Sequence, residues 1–584
     1  MTDSEHNSGA GAAVDTAVSP QPTTQPAPRR STAEALAVGG LLLILALAAL
    51  FRFTGLDWDS TYHLHPDERF LTDTASLLQP VADPLDYLRT SRSTLNPYNV
   101  NKPLFVYGNL PMTVVRYVAD GVTAACETFS LDCAYAYNTY NGIHIVGRVM
   151  SGLLDLVGIA FLFLIGRRLY DWRVGLLAAL LHALAVMPIQ QSHFFTMDNW
   201  AAGLTTLTLY TAVRAAGFGD PPGRFRYRWY LLFGLSLGLT LASRINVAPL
   251  AAMIALAGLI WLARAGYDVT TLAGWRRLVA GEGSIALQRV ILAGLLAGAV
   301  TLLTFRLAQP YAFTDAALAR STVLDQTGVE PGPIELLLRS LVGLNPQWQA
   351  NMAEIQRLQA PEASFPPALQ WTDRAAILFP LSNMILYGMG VTAAIAAWLG
   401  FAWAAWRIAR LRPDWLAHLI PVAWTGGYFL FMATRWVKSI RYFLPIYPTL
   451  FLLAAWALWA LWQRTSRSPH HPRTPAPHHR TTLARPAILA LTLAVILPSL
   501  LWASAFVQIY RQPVTRVAAS DWIFENVPSG ATLLYHADGE ARELQLPLKY
   551  FEFWPNGNPL TLDFTLPEDG TITAVRFNYL TDAD

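Results

Sequence analysis

The chain has 584 residues, 53% of them hydrophobic and only 14% charged. Soluble domains carry nearer a quarter charged residues, and apolar runs of about eighteen or more recur along the sequence, so the class is a polytopic membrane protein. A net charge of +3 is too small to argue for a nucleic-acid partner. Lysine occurs only as Lys102, Lys438 and Lys549; arginine-dominated basic usage reads as a GC-rich genome, and a bacterial cell membrane is the expected location.

Residues 1–34 are polar, proline-rich and free of aromatics, the composition of a disordered tail. The run from Ala35 to Phe53, broken only by Arg52, is too long for a signal-peptide core and is read as a retained first span. Eleven spans are expected at approximately 35–54, 143–166, 173–190, 198–215, 229–243, 246–263, 289–307, 382–405, 415–432, 441–462 and 486–507. One set of connections collects Arg167, Arg168 and Arg173; Arg214, Arg224, Arg226 and Arg228; Arg276 and Arg277; Arg407, Arg410 and Arg412; and the stretch from Arg464 to Arg485. Cytoplasmic loops accumulate such charge, so the amino terminus is expected to be cytoplasmic and the carboxyl terminus extracytoplasmic. The domain at 35–507 then carries two large outer loops, 55–142 and 308–380, with an outer β-rich segment at 508–584.

The first outer loop opens on GLDWDSTYHLHPDERF, residues 55–70, which crowd four carboxylates and two histidines beside the membrane. Pro66, Asp67 and Glu68 mark a helix start, where a carboxylate stays ionised and can accept a proton from a hydroxyl. NKPLFVYGNLPMTVVRYVADG follows and reads as a helix lying at the membrane interface. Cys126 and Cys133 are the only cysteines; a disulfide and two free thiols both fit. In the next outer turn, MPIQQSHFFTMDNW, Asp198 opens a span as either a capping or a catalytic aspartate. His193 and Asn199 beside it could hydrogen-bond a sugar. Asp155, inside a span, is expected to pair with Arg148, and Arg306 to snorkel to the interface.

In the second large loop, NPQWQANMAEIQRLQ is expected to form an amphipathic surface helix. Arg435, Lys438 and Arg441 in ATRWVKSIRYFLPIYP, and Arg244 in ASRINVAP, break the charge rule by lying outside. An anionic ligand such as a lipid phosphate accounts for them, as does pairing with the acids of loop 55–142. Near the carboxyl end, LTLDFTLPEDGTITAVRFNYL alternates like paired strands around a turn at Glu568-Asp569-Gly570.

Taken in order, these motifs resemble the lipid-carrier-dependent glycosyltransferases of the GT-C fold, the protein O-mannosyltransferase and aminoarabinose transferase group. The resemblance rests on HPDERF, NKPLFVYGNLP with Lys102 and Pro103, Arg148 opening the second span, TMDNW, ASRINVAPL and RYFLPIYPTLFLLAAWAL. Pro103 stands alone where the family has tandem prolines, and Arg244 stands where it has lysine. The resemblance implies an inverting transferase that moves one sugar from a polyprenyl-phosphate donor to an acceptor hydroxyl on a protein, lipid or glycan. Asp67 would be the base, with Glu68 or Asp198 orienting the sugars. Arg435, Lys438 and Arg441, with Arg244 or Lys102, would hold the phosphate, and His65 could line the sugar site. No cofactor is implied, although Asp57 and Asp59 resemble the metal-binding Asp-x-Asp of oligosaccharyltransferases, and His63 and His65 add ligand types. The competing class is a secondary transporter or lipid flippase. Against it stand the lack of an internal repeat and the gathering of acids at one surface.

Overall fold

The computed structural model describes residues 32–281, 283–466, 484–526, 530–546, 561 and 563–577. The proposed tail therefore falls largely outside the described residues, and its last three, Thr32 to Glu34, already belong to the first helix. Helix α1 (Thr32–Phe53) leads into the first long connecting segment, which contains α2 (Pro66–Leu77) and α3 (Asn109–Thr128). The chain continues through α4 (Tyr140–Leu169), α5 (Trp172–Ala183), α6 (Val186–Ser192), α7 (Asp198–Ala215), α8 (Tyr227–Ser243) and α9 (Ala252–Arg264). After α10 (Leu272–Ala280) and α11 (Ser284–Ala308) comes the second large segment. It holds α12 (Ala316–Thr327), α13 (Pro333–Val342), α14 (Pro346–Leu358), α15 (Pro366–Leu369) and α16 (Leu378–Asn383). Helices α17 (Val391–Ala409), α18 (Trp415–Ala433) and α19 (Tyr447–Ser466) precede a last long helix, Ala484–Val507.

Among the described residues, 8 helical stretches are long and apolar enough to cross a membrane, and α5 with α6, bent by 60°, make a ninth if taken as one span. The chain is an integral multi-pass membrane protein built on a bundle of apolar helices. The two other expected spans coincide with α7 and α8. Helix α7 sits inside the bundle, so its sequence need not be greasy. Its buried Thr208 and Thr211 hydroxyls meet Thr240 (3.2 Å) and Ser236 (3.5 Å) of α8. Helix α7 also packs backbone to backbone on α4: a Cβ on Gly203 would lie 2.2 Å from the Leu154 carbonyl oxygen. Small residues give membrane helices this close approach. The span expected at 382–405 is broken instead: Gly390 takes a left-handed φ of +86°, and the straight helix begins only at Val391.

Two expected side-chain roles differ from what is observed. Asp155 accepts from Arg52 Nε at 2.5 Å and lies 3.0 Å from His182 Nε2, tying α4 to α1 and α5. Arg148 is not its partner, because Arg148 is already neutralised by Asp59 and Glu68 of the first connecting segment. Arg306 is held by the protein itself: its guanidinium donates to the carbonyls of Pro310 (3.3 Å), Thr314 (3.4 Å) and Ser340 (3.3 Å) and anchors the second large segment.

That segment clasps the first. Asn351 of α14, the expected surface helix, donates to the Pro103 carbonyl at 2.8 Å, and Asp315 accepts from the Ser91 backbone N–H (2.7 Å) and hydroxyl (2.6 Å). Cys126 and Cys133 form a disulfide at the end of α3. Near the carboxyl end, β1 (Ala531–Ala537), β2 (Glu540–Gln545) and β3 (Thr571–Phe577) form an antiparallel sheet in the order β2-β1-β3. The hairpin expected around residues 568–570 does not form among the described residues. Within that stretch they contain one strand, Thr571–Phe577, and it pairs with β1.

Candidate active site

Helix α2 starts where the sequence places it. His65 caps it, its Nδ1 accepting from the Glu68 N–H at 3.2 Å, and Pro66 fills the first turn. Successive residues on a helix point about 100° apart, so Asp67 and Glu68 diverge. Glu68 turns inward and is fully buried. It accepts from Arg148 Nε and Nη2, both at 2.8 Å, and from the Phe195 backbone N–H at 2.7 Å. Asp59, also fully buried, accepts from the same Arg148 Nη2 at 3.0 Å. Every oxygen of Glu68 is thus committed to holding α2 against α4 and to the turn before α7. Glu68 is a positioning residue.

Asp67 turns the other way and keeps 30% of its side chain exposed, with Oδ2 2.5 Å from Arg441 Nη2. Burial alone would push its carboxyl up, but the Arg441 guanidinium, helped by His65 and Arg244, outweighs this and holds it below the usual carboxylate range. Asp67 is therefore ionised at neutral pH and open on one side.

Arg441 lies in the 3-10 turn Ile440–Ile446 that enters α19. A second acid–base pair faces it: Arg244, at the end of α8, pairs with Asp198, the first residue of α7. The two arginines flank one ring, with Arg244 4.4 Å and Arg441 5.4 Å from the Tyr442 centroid. Tyr107 approaches the same groups, and its hydroxyl is raised above the ordinary tyrosine range, first by burial and then by the Asp67 charge. The approach of this segment depends on Gly108, since a Cβ there would lie 2.2 Å from the Ala242 carbonyl oxygen, two residues before Arg244. The result is a quartet of alternating charge at one end of the bundle, with the first turns of α2 and α7 both contributing.

Other expected site residues lie apart from this quartet. Lys438 is 5% exposed, and its ammonium donates to the Trp436 carbonyl at 2.9 Å. Among the described residues no carboxylate lies within ion-pair distance of it. Arg435 is exposed over the Phe431 ring (4.4 Å), and Lys102 pairs with Asp73 on α2. His65 keeps an open ring edge and packs 4.4 Å from Phe194. His193 and Asn199 are fully buried. The His193 ring nitrogens lie 2.8 and 2.9 Å from the carbonyl oxygens of Ile189 and Thr54, and Asn199 donates to Ser192 Oγ at 2.8 Å. Neither reaches the surface where a sugar would sit. Asp57 is exposed and accepts from the Tyr135 hydroxyl at 2.5 Å.

Sequence reasoning quoted Arg148 without giving it a site role, and passed over Tyr442 and Tyr107. Tyr442 was legible as the residue next to Arg441, whereas the Arg148 hub needs three distant segments to meet.

Residues 142–273, which contain Arg148, Asp198 and Arg244, match the family described as dolichyl-phosphate-mannose-protein mannosyltransferase. No curated protein matches the chain significantly. Among solved structures it is similar to the apo oligosaccharyltransferase of Archaeoglobus fulgidus, at 15% identity and a TM-score of 0.49, over 91% of this chain and 62% of that one. It is also similar to ArnT from Cupriavidus metallidurans bound to undecaprenyl phosphate, at 16% identity and a TM-score of 0.43, over 84% and 81% of the two chains. A third is the S. cerevisiae protein O-mannosyltransferase Pmt1-Pmt2 complex bound to the sugar donor, at 16% identity and a TM-score of 0.33, over 48% and 35%. The chain thus spans 62% of the length of the archaeal oligosaccharyltransferase it aligns with. The group that the sequence motifs resemble is the one whose family description its central segment matches.

Proposed function

We propose that the chain is a glycosyltransferase that moves a single sugar from a polyprenyl-phosphate donor to an acceptor hydroxyl on the extracytoplasmic side. The observation that carries this reading is the open, ionised Asp67 set against Arg441, with the Arg244–Asp198 pair alongside. A base for a hydroxyl and cations for a leaving phosphate are the two things such a reaction needs. The match of residues 142–273 to a family named for a dolichyl-phosphate sugar supports the donor class.

In the reaction, the Asp67 carboxylate removes the acceptor hydroxyl proton as that oxygen bonds to the anomeric carbon. The bond from that carbon to the phosphate oxygen breaks, its electron pair leaves with the phosphate, and polyprenyl phosphate is released. Attack opposite the leaving group inverts the anomeric carbon. Arg441 donates through a five-proton fork, so one nitrogen can hold Asp67 while others meet the phosphate. Arg244 adds charge beside Arg441, and Arg435 guides the headgroup from the membrane surface. Asp198, buried under Arg244, keeps that guanidinium aimed, and His65 faces the sugar. The acceptor is a protein, lipid or glycan hydroxyl.

The test is reconstitution of the full chain in liposomes with radiolabelled polyprenyl-phosphate sugars and an extract of candidate acceptors. The proposal expects a new glycosidic bond, with release of polyprenyl phosphate. Transmembrane movement of label without a new bond would instead establish a transporter or flippase.

A further inference from the structure

Beside Arg148 lies a cluster that the transfer reaction does not use. One ligand-capable atom each from Asp57, Asp59 and His144 lie within 4.8 Å of one another. His144 is 0% and His63 2% exposed, their rings 4.5 Å apart and edge to face. All four ring nitrogens lack a hydrogen-bond partner. Asn141 borders His63 and the Tyr140 backbone borders His144, without meeting hydrogen-bond geometry. Buried polar atoms are nearly always satisfied, and each one left bare costs about 1–3 kcal/mol. Two adjacent buried imidazoles with no partner therefore call for one.

We propose that Asp57, Asp59 and His144, with His63 as the fourth group, form a divalent transition-metal site of zinc type. Two imidazoles and two carboxylates suit zinc, whereas calcium and magnesium prefer oxygen ligands alone. Ligand atoms in a tetrahedral zinc shell stand about 3.4 Å apart, so modest side-chain rotation closes the cluster. Charge favours a cation. Three carboxylates, Asp57, Asp59 and Glu68, stand against two guanidinium groups, Arg148 on Asp59 and Glu68 and Arg69 on the His63 carbonyl. Both acidic ligands are already oriented from outside, Asp59 by Arg148 and the Leu64 N–H, and Asp57 by the Tyr135 hydroxyl. Such supporting bonds hold metal ligands in place. Exposed Asp57 provides the entry route.

The site's role is positional. Ser60, Thr61 and His63 hold φ values of +47°, +65° and +48°, a left-handed run unusual for residues with side chains. A metal joining Asp57 and Asp59 to His144 on α4 would clamp this loop. Through Arg148 and Glu68, the clamp fixes the first turn of α2 and hence Asp67.

The test uses the purified full chain in detergent, stripped with a chelator and then given zinc chloride alone. Bound zinc is counted by mass spectrometry, and the melting temperature is read in parallel. The expectation is one zinc per chain and a rise in melting temperature that the chelator reverses. Asp57→Ala, at an exposed position that leaves the fold intact, should weaken zinc binding about 10-fold or more, and His144→Gln more still. Clearly substoichiometric zinc in the wild type, or equal retention by wild type and Asp57→Ala, would overturn the proposal. Both readouts are independent of sugar transfer.

Discussion

Replacing Arg441 by glutamine removes the cation that pairs directly with Asp67. The pair is 2.5 Å apart, with side chains 22% and 30% exposed, so it lies between the surface and buried regimes. Two effects follow from that geometry. First, the leaving phosphate loses a charged donor, and losing one such donor typically costs about 10²–10³ in kcat. Second, the force that lowers the Asp67 pKa disappears while burial, which raises it, remains. The sign is then fixed. In the wild type the base form of Asp67 is present above the ordinary carboxylate pKa and is lost only as pH falls through its lowered value. In Arg441→Gln the loss begins at higher pH. The assay is the pH dependence of kcat/KM for transfer from a polyprenyl-phosphate sugar, with wild type and variant side by side. A transfer rate within about threefold of wild type, with an unmoved acid limb, would refute the reasoning. Arg441→Lys restores charge without the planar fork and should recover part of the rate.

Three further outcomes follow from contacts described above. Glu68→Gln should lower the melting temperature as well as activity, because it strips a fully buried guanidinium of its bidentate partner; breaking a buried pair costs about 3–5 kcal/mol. Asp155→Asn should destabilise by a similar mechanism while leaving donor binding in the surviving folded fraction unchanged, as measured by thermal unfolding and labelled-lipid binding. In intact cells, a membrane-impermeant reductant followed by an impermeant maleimide should label Cys126 and Cys133; labelling only after lysis would place α3 on the cytoplasmic side and reverse the proposed orientation.

Element positions were legible wherever a local rule sufficed. Proline, acids and a capping histidine in sequence mark the start of α2 without help from the rest of the chain. Apolar length marks most spans. Helix α7 was legible by position, although it is too polar for a lipid-facing helix, because turn residues bracket it. What the sequence concealed depends on contacts between distant segments. Asp67 and Glu68 look equivalent as neighbours, yet helical geometry sends one to solvent and the other into Arg148. His193 and Asn199 carry sugar-binding chemistry, but carbonyls and a serine hydroxyl from packed neighbours consume it. Asp155 shares a helix face with Arg148 at a separation of two turns, yet Arg52 on another helix claims it. The alternation at the carboxyl end likewise identified a strand at Thr571–Phe577 while hiding that its partner is β1.

The central claim is that the carboxylate at position 67 accepts the acceptor's proton opposite the cations that receive the phosphate. Its most direct measurement is single-turnover transfer by purified Asp67→Asn with saturating polyprenyl-phosphate sugar, alongside equilibrium binding of that donor. The account predicts transfer reduced about a hundredfold or more, with donor affinity nearly unchanged and the protein folded. Transfer at the wild-type rate would contradict it.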